Sequence, residues 1–147
     1  MSGGGNVQPP TLNAQRPSGS GDRFDLDERL LDYAADIIRL TEKLPRTMAA
    51  THVAGQMLHS GTSALPNHGE AQAAESPADF IHKLSICLQE QRESRRWQRL
   101  TRRVPLVAKP DTVTPLLTET EELSRIFYRS IQTARKNSTK GGAPNER

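Results

Sequence analysis

Apolar residues recur along this chain at three- and four-residue spacing in four separate runs, the signature of amphipathic helices sharing one core. The clearest run opens at Ser76. That serine can cap a helix whose first position is Pro77, where a missing N–H costs nothing, and Asp79 completes a Ser-x-x-Asp capping box at the positive end of the helix dipole. Phe80, Leu84, Cys87, Leu88 and Gln91 line one face, and the helix is predicted to run unbroken to Val104. Upstream, a first helix is predicted from Asp25 to a stop at Pro45, with Leu26, Leu30, Tyr33, Ala34, Ile37, Ile38, Thr41 and Leu44 as its seam. A second starts behind a Thr47 cap and carries a narrower stripe, Ala50, Val53, Ala54, Met57, Leu58, Gly61 and Ala64. Pro66 falls inside that pattern. The strong helix former EAQAAE beyond it favours a kink over an end. A fourth helix is predicted to begin between Asp111 and Thr114, with Val113, Leu116, Leu117, Thr120, Leu123, Phe127, Ile131 and Ala134 facing inward.

Four helices with short connections, and no run of period-two alternation, predict an all-α fold. The expected architecture is an up-down-up-down antiparallel four-helix bundle over residues 24–136. Residues 1–23 are rich in Gly, Pro, Ser, Asn and Gln and are expected to form a disordered leader, with 137–147 as a disordered tail. An aromatic content of only 4% suits helix packing better than a sandwich of sheets. No stretch approaches the roughly 20 apolar residues a membrane span needs, and no secretory signal is legible, so a cytoplasmic protein is expected. The single cysteine, Cys87, lies on the apolar stripe and is read as a small core residue. One thiol supports neither a disulfide frame nor a cysteine metal site.

Charge changes the picture. The formal net charge is only +3, yet Arg92 to Lys109 contains seven basic residues and one acidic, a local +6. Arg92, Arg95, Arg96, Arg99, Arg102 and Arg103 recur at helical spacing and cover an arc of roughly 120° on an ideal helix, narrow enough to follow a phosphate backbone. Trp97 and Tyr128 offer stacking surface for bases. This is the nucleic-acid-binding reading. A second reading is equally concrete: Arg95 and Arg99 turn inward to acidic groups such as Glu70, and the stripe serves ion pairs or subunit contacts in a self-assembling scaffold. Asn67 and Glu70, just past Pro66, are expected to satisfy backbone groups and neighbouring side chains inside the bundle. Glu90 and Glu93 are read with them as structural polar residues.

No catalytic constellation is visible. His52, His59, His68 and His82 contain no pair at i, i+4 metal-site spacing. The GTSAL segment around Ser63 lacks the second glycine of a nucleophile elbow, and no glycine-rich phosphate loop lies between a strand and a helix. The expectation is a non-enzymatic protein with no cofactor, no metal and no small-molecule substrate.

The segments FDLDERLLDYAADIIRLTEKLPRT, HVAGQMLHSGTSALPNHGEA, ESPADFIHKLSICLQEQRESRRWQRL and LLTETEELSRIFYRSIQTARK together resemble the four-helix-bundle proteins encoded by intervening sequences of bacterial 23S ribosomal RNA. The resemblance runs from about Phe24 to Lys136. Its most specific parts are Ser63, Pro66, Asn67 and Glu70, and the FIHKLSI segment with Glu90, Glu93 and Ser94 beyond it. It implies an up-and-down bundle that assembles into a pentameric ring. It also implies likeness in fold to the basic, nucleic-acid-binding accessory proteins of diversity-generating retroelements. It supplies no catalytic residue.

Overall fold

The computed structural model of the chain describes residues 22–141, with side chains from 26 to 140. Four helices follow one another: α1 (Asp22–Glu42), α2 (Met48–Gln72), α3 (Pro77–Arg103) and α4 (Thr114–Gly141). A 3-10 turn, Pro110–Val113, leads into α4. Each cap acts as its sequence dictates. Thr47 Oγ1 accepts from the Ala50 N–H at 3.2 Å, and Ser76 Oγ accepts from the Asp79 N–H at 3.1 Å. Sequential helices pack as antiparallel neighbours, and α4 closes back on α1, where Arg29 forms ion pairs with Glu119 and Glu122. The fold is an all-α up-down-up-down bundle.

Two boundaries differ from expectation. α1 begins at Asp22 instead of Asp25, and α4 runs to Gly141, taking in Asn137–Lys140, where a tail was predicted. Residues 1–21 and 142–147, the rest of the expected leader and tail, lie outside the described residues. α2 is helical from Met48 to Gln72 straight through Pro66. Proline removes the N–H that would serve the Thr62 carbonyl. The helix is held just beyond it by Asn67, whose side-chain amide donates to the Ser63 carbonyl at 2.8 Å and lies 3.1 Å from Ser63 Oγ.

The buried positions obey one rule in all four helices. They alternate in steps of three and four: Leu30, Tyr33, Ile37, Leu40, Leu44 on α1; Ala50, Val53, Met57, Ser60, Ala64 on α2; Leu84, Cys87, Gln91, Ser94, Gln98, Thr101 on α3. On α4 the same steps lead from Leu116 through Thr120 and Leu123 to Phe127. Such seams pack near +20°, as in coiled coils. The rule corrects the predicted stripes. Ile38, assigned inward, is 44% exposed while Leu40 is buried, and Leu58 gives way to Ser60. Both errors come from counting an apolar side chain as inward when its heptad position lies one step off the seam.

The same rule places polar side chains in the core. Tyr33, Ser94, Gln98 and Thr120 are buried together, tying α1, α3 and α4. The Tyr33 hydroxyl lies 3.0 Å from Ser94 Oγ and 2.8 Å from Thr120 Oγ1. Gln98 Nε2 is within 3.0 Å of the Tyr33, Ser94 and Thr120 hydroxyl oxygens, and Thr120 Oγ1 is 3.1 Å from Gln98 Oε1 and 2.7 Å from the Leu116 carbonyl. Burial pushes the Tyr33 phenol pKa up, with the hydroxyl partners opposing. Cys87 is buried beside the Ala64 carbonyl, and burial lifts its thiol to about 12, which leaves no thiolate at neutral pH.

Candidate nucleic-acid interface

The six arginines of α3 lie on one flank of its buried seam, and two interactions show that this flank faces α4. Arg95 Nε donates to Glu121 Oε1 at 3.0 Å, and Arg102 Nη1 reaches Thr114 Oγ1 at 3.4 Å. These two form the inner edge of the stripe. Arg92, Arg96, Arg99 and Arg103 form its outer edge and are exposed. None of the four pairs with a carboxylate among the described residues. The expectation that Arg95 and Arg99 turn inward to acidic groups such as Glu70 is therefore corrected in part: Arg95 has an acidic partner, but it is Glu121 on α4, and Arg99 stays exposed. The inward heptad positions belong to Ser94, Gln98 and Thr101, and Glu70 is exposed, 2.7 Å from Lys83 Nζ. Its carboxylate holds the Lys83 pKa above the usual lysine value.

The two aromatic residues separate. Trp97 lies on the other flank of α3, toward α2, where its ring meets His52 edge-on with centroids 5.9 Å apart and its indole N–H donates to Glu93 Oε1 at 3.3 Å. It is no part of the arginine face. Tyr128 is 50% exposed and stands on that face. Between α3 and α4 runs an open groove of about 620 Å³, with Arg92, Glu93 and Arg96 on one wall and Tyr128 and Arg135 on the other. Arg135 is a residue that the sequence reading missed. The signal was present: Glu121, Tyr128 and Arg135 are spaced by seven, so all three share the side of α4 turned to α3.

Of the residues read as structural polar, Asn67 keeps that role, Glu70 is a surface partner of Lys83, and Glu93 holds Trp97. Glu90 differs. Its Oε2 is buried without a hydrogen-bond partner among the described residues, and desolvation, then the neighbouring Glu93 charge, raise its pKa, with His59 opposing. A carboxyl whose folded-state pKa is raised contributes stability below its unfolded value and loses it as pH rises through the folded value. Glu90→Gln is therefore expected to raise Tm at pH 7, modestly because the residue is only partly buried. The gain disappears as pH falls through the ordinary carboxylate range. Melts at pH 7 and pH 4 check it, and an equal gain at both would contradict the charge as its cause.

The histidines do not converge. His68 is buried, its Nδ1 2.7 Å from Asp27 Oδ1 and its ring 6.2 Å from that of Phe127, so it pins α2 to α1 and α4. Among the described residues no group of three or more His, Cys, Asp or Glu is placed to hold a metal ion. No described helix is long and apolar enough to cross a membrane.

Comparison with known proteins gives two results. The sequence model of the family described as 23S rRNA-intervening sequence protein matches residues 25–129. The chain is also similar to a crystal structure of a protein of unknown function from the S23 ribosomal protein family of Bacteroides thetaiotaomicron. The two share 29% identity at a TM-score of 0.66, over 72% of this chain and 97% of that one. No curated protein matches the chain.

Proposed function

Because the chain belongs to the 23S rRNA-intervening sequence protein family, we propose that it is a non-enzymatic, homo-oligomeric bundle that binds nucleic acid, RNA in preference to DNA, along the outer arginines of α3. One observation carries the reading: Arg92, Arg96, Arg99 and Arg103 stand side by side, exposed, with no carboxylate partner among the described residues. Like charges at i, i+4 repel, each pair costing a helix about 0.2–0.5 kcal/mol. A polyanion removes that cost. Copies of this face around a ring would add their potentials and strengthen the field at each.

Assembly has its own support. Leu31 and Ile38, seven residues apart and so on one side of α1, are 50% and 44% exposed, apolar surface suited to a second subunit. The competing reading, a scaffold whose arginines serve protein contacts, is favoured by the Arg95–Glu121 pair alone.

The test replaces Arg92, Arg96, Arg99 and Arg103 together by Gln and titrates labelled RNA by fluorescence anisotropy at several salt concentrations. The expected result is about 100-fold weaker binding near 0.1 M salt, with a log–log salt slope shallower by about 0.7 for each phosphate no longer neutralised. Tm should not fall, since all four side chains are exposed and losing their mutual repulsion raises it slightly. Unchanged affinity, or a ring that dissociates with salt while bound RNA does not, favours the scaffold.

A further inference from the structure

The geometry points to the groove between α3 and α4 as a seat for single-stranded nucleic acid, with one base stacked on Tyr128 and phosphates of the strand to either side of it held by Arg92 and Arg96 at one end and Arg135 at the other. The inference rests on the function proposed for the arginine face and gives it a strand type and a register.

Three properties of the groove lead there. The first is composition. Leu88 and Ile131 supply an apolar floor, while three guanidinium groups and one half-exposed phenol ring rise around it. A small apolar metabolite would leave the arginines unmatched, and a simple anion would leave the floor and the ring unused. A nucleotide uses both, because it joins a flat π-face to a charged phosphate within one unit.

The second is spacing. Tyr128 and Arg135 are seven residues apart on α4, about 10 Å along the axis at 1.5 Å per residue. Arg92 and Arg96 come from the antiparallel α3, on which Arg95 is joined to Glu121, seven residues before Tyr128. Tyr128 thus lies between the Arg92–Arg96 end and the Arg135 end. With Arg95 level with Glu121, Arg92 stands about 16 Å along the axis from Arg135, the reach of two or three nucleotides of an extended strand. A volume of about 620 Å³ matches the same size.

The third is pairing state. The ring of Tyr128 can receive a base face only when that face is not covered by a neighbouring pair, so a continuous duplex could touch the arginines but not fill the groove.

The test uses the full chain and fluorescein-labelled 12-mers: single-stranded RNA, single-stranded DNA of the same sequence, and a blunt RNA duplex. Tyr128→Ala is expected to weaken single-strand binding about tenfold with the salt slope unchanged, whereas Tyr128→Phe keeps affinity within about twofold, because stacking needs the ring and not the hydroxyl. Arg135→Gln should weaken binding and lower the slope by about 0.7. Duplex binding should be weaker than single-strand binding and indifferent to Tyr128→Ala. The RNA and DNA arms report whether the 2′-hydroxyl is read. The groove assignment is overturned if Tyr128→Ala binds like the parent, if duplex binds as tightly as single strand, or if an acidic peptide competes at equal charge concentration. Should Tyr128→Ala be silent while the four-arginine variant loses RNA, the arginine face survives and the groove does not. If the parent protein binds none of the three, both readings fall.

Discussion

Gln98→Leu should cost about 2–3 kcal/mol in urea denaturation, although it exchanges a buried polar side chain for an apolar one of similar volume. In an isolated case the exchange would be neutral or favourable, since an amide loses water on burial. Here Gln98 is the hub of a closed set. Its amide nitrogen lies within hydrogen-bond reach of Tyr33, Ser94 and Thr120, and its carbonyl accepts from Thr120. Leucine leaves three buried hydroxyls with fewer partners and no water to replace them. Buried networks of this kind are coupled. Tyr33→Phe should therefore cost at least about 1 kcal/mol less in the Gln98→Leu background than in the parent, and a double-mutant cycle measures the difference. Additive losses would show that the hydroxyls do not act as a set. Gln91 marks the contrast: it is just as buried, yet neither of its amide atoms has a hydrogen-bond partner among the described residues.

Gly61→Ala should destabilise the bundle by about 2 kcal/mol or more, against the gain of up to about 1 kcal/mol that alanine ordinarily brings to a helix interior. A Cβ at Gly61 would lie 2.7 Å from Ile37 Cγ1 and Cδ1 and 2.8 Å from its Cγ2. Ile37 is fully buried and branched at Cβ, which restricts its rotamers in a helix, so it has little freedom to move aside. Gly55 is the control on the same helix: nothing lies within 4 Å of a Cβ built there, so Gly55→Ala should raise Tm. Thermal melts of both variants read the two signs directly. Combining Gly61→Ala with Ile37→Ala should recover part of the loss, because the second change removes the atoms that clash. Two changes of equal sign at positions 55 and 61 would mean that helix propensity, not the close approach, decides.

Most of the architecture was legible because helices announce themselves locally. Capping residues, proline positions and periodicity act within a few residues, and Thr47, Ser76 and Pro77 perform as their chemistry requires. What periodicity could not do was fix the angular position of each seam to better than one residue, which is why Ile38 and Leu58 were drawn inward. The arginine stripe was visible as a spacing, but its environment was not. Whether a guanidinium at position 95 or 99 meets a carboxylate depends on which helix lies beside it, and that neighbour, Glu121 for Arg95, is 26 residues distant.

By itself, then, the sequence determined four amphipathic helices, the caps of α2 and α3, their order and a cationic second half of α3, all consequences of side chains acting on their own turn of helix. The tertiary structure alone decided that Ser94, Gln98 and Thr101 fill the inward positions, that Trp97 turns toward α2, and that Arg92, Arg96, Tyr128 and Arg135 share one groove. Those outcomes depend on how two helices rotate against each other. That rotation is set by the summed packing of the whole core, so no local stretch of chain contains it.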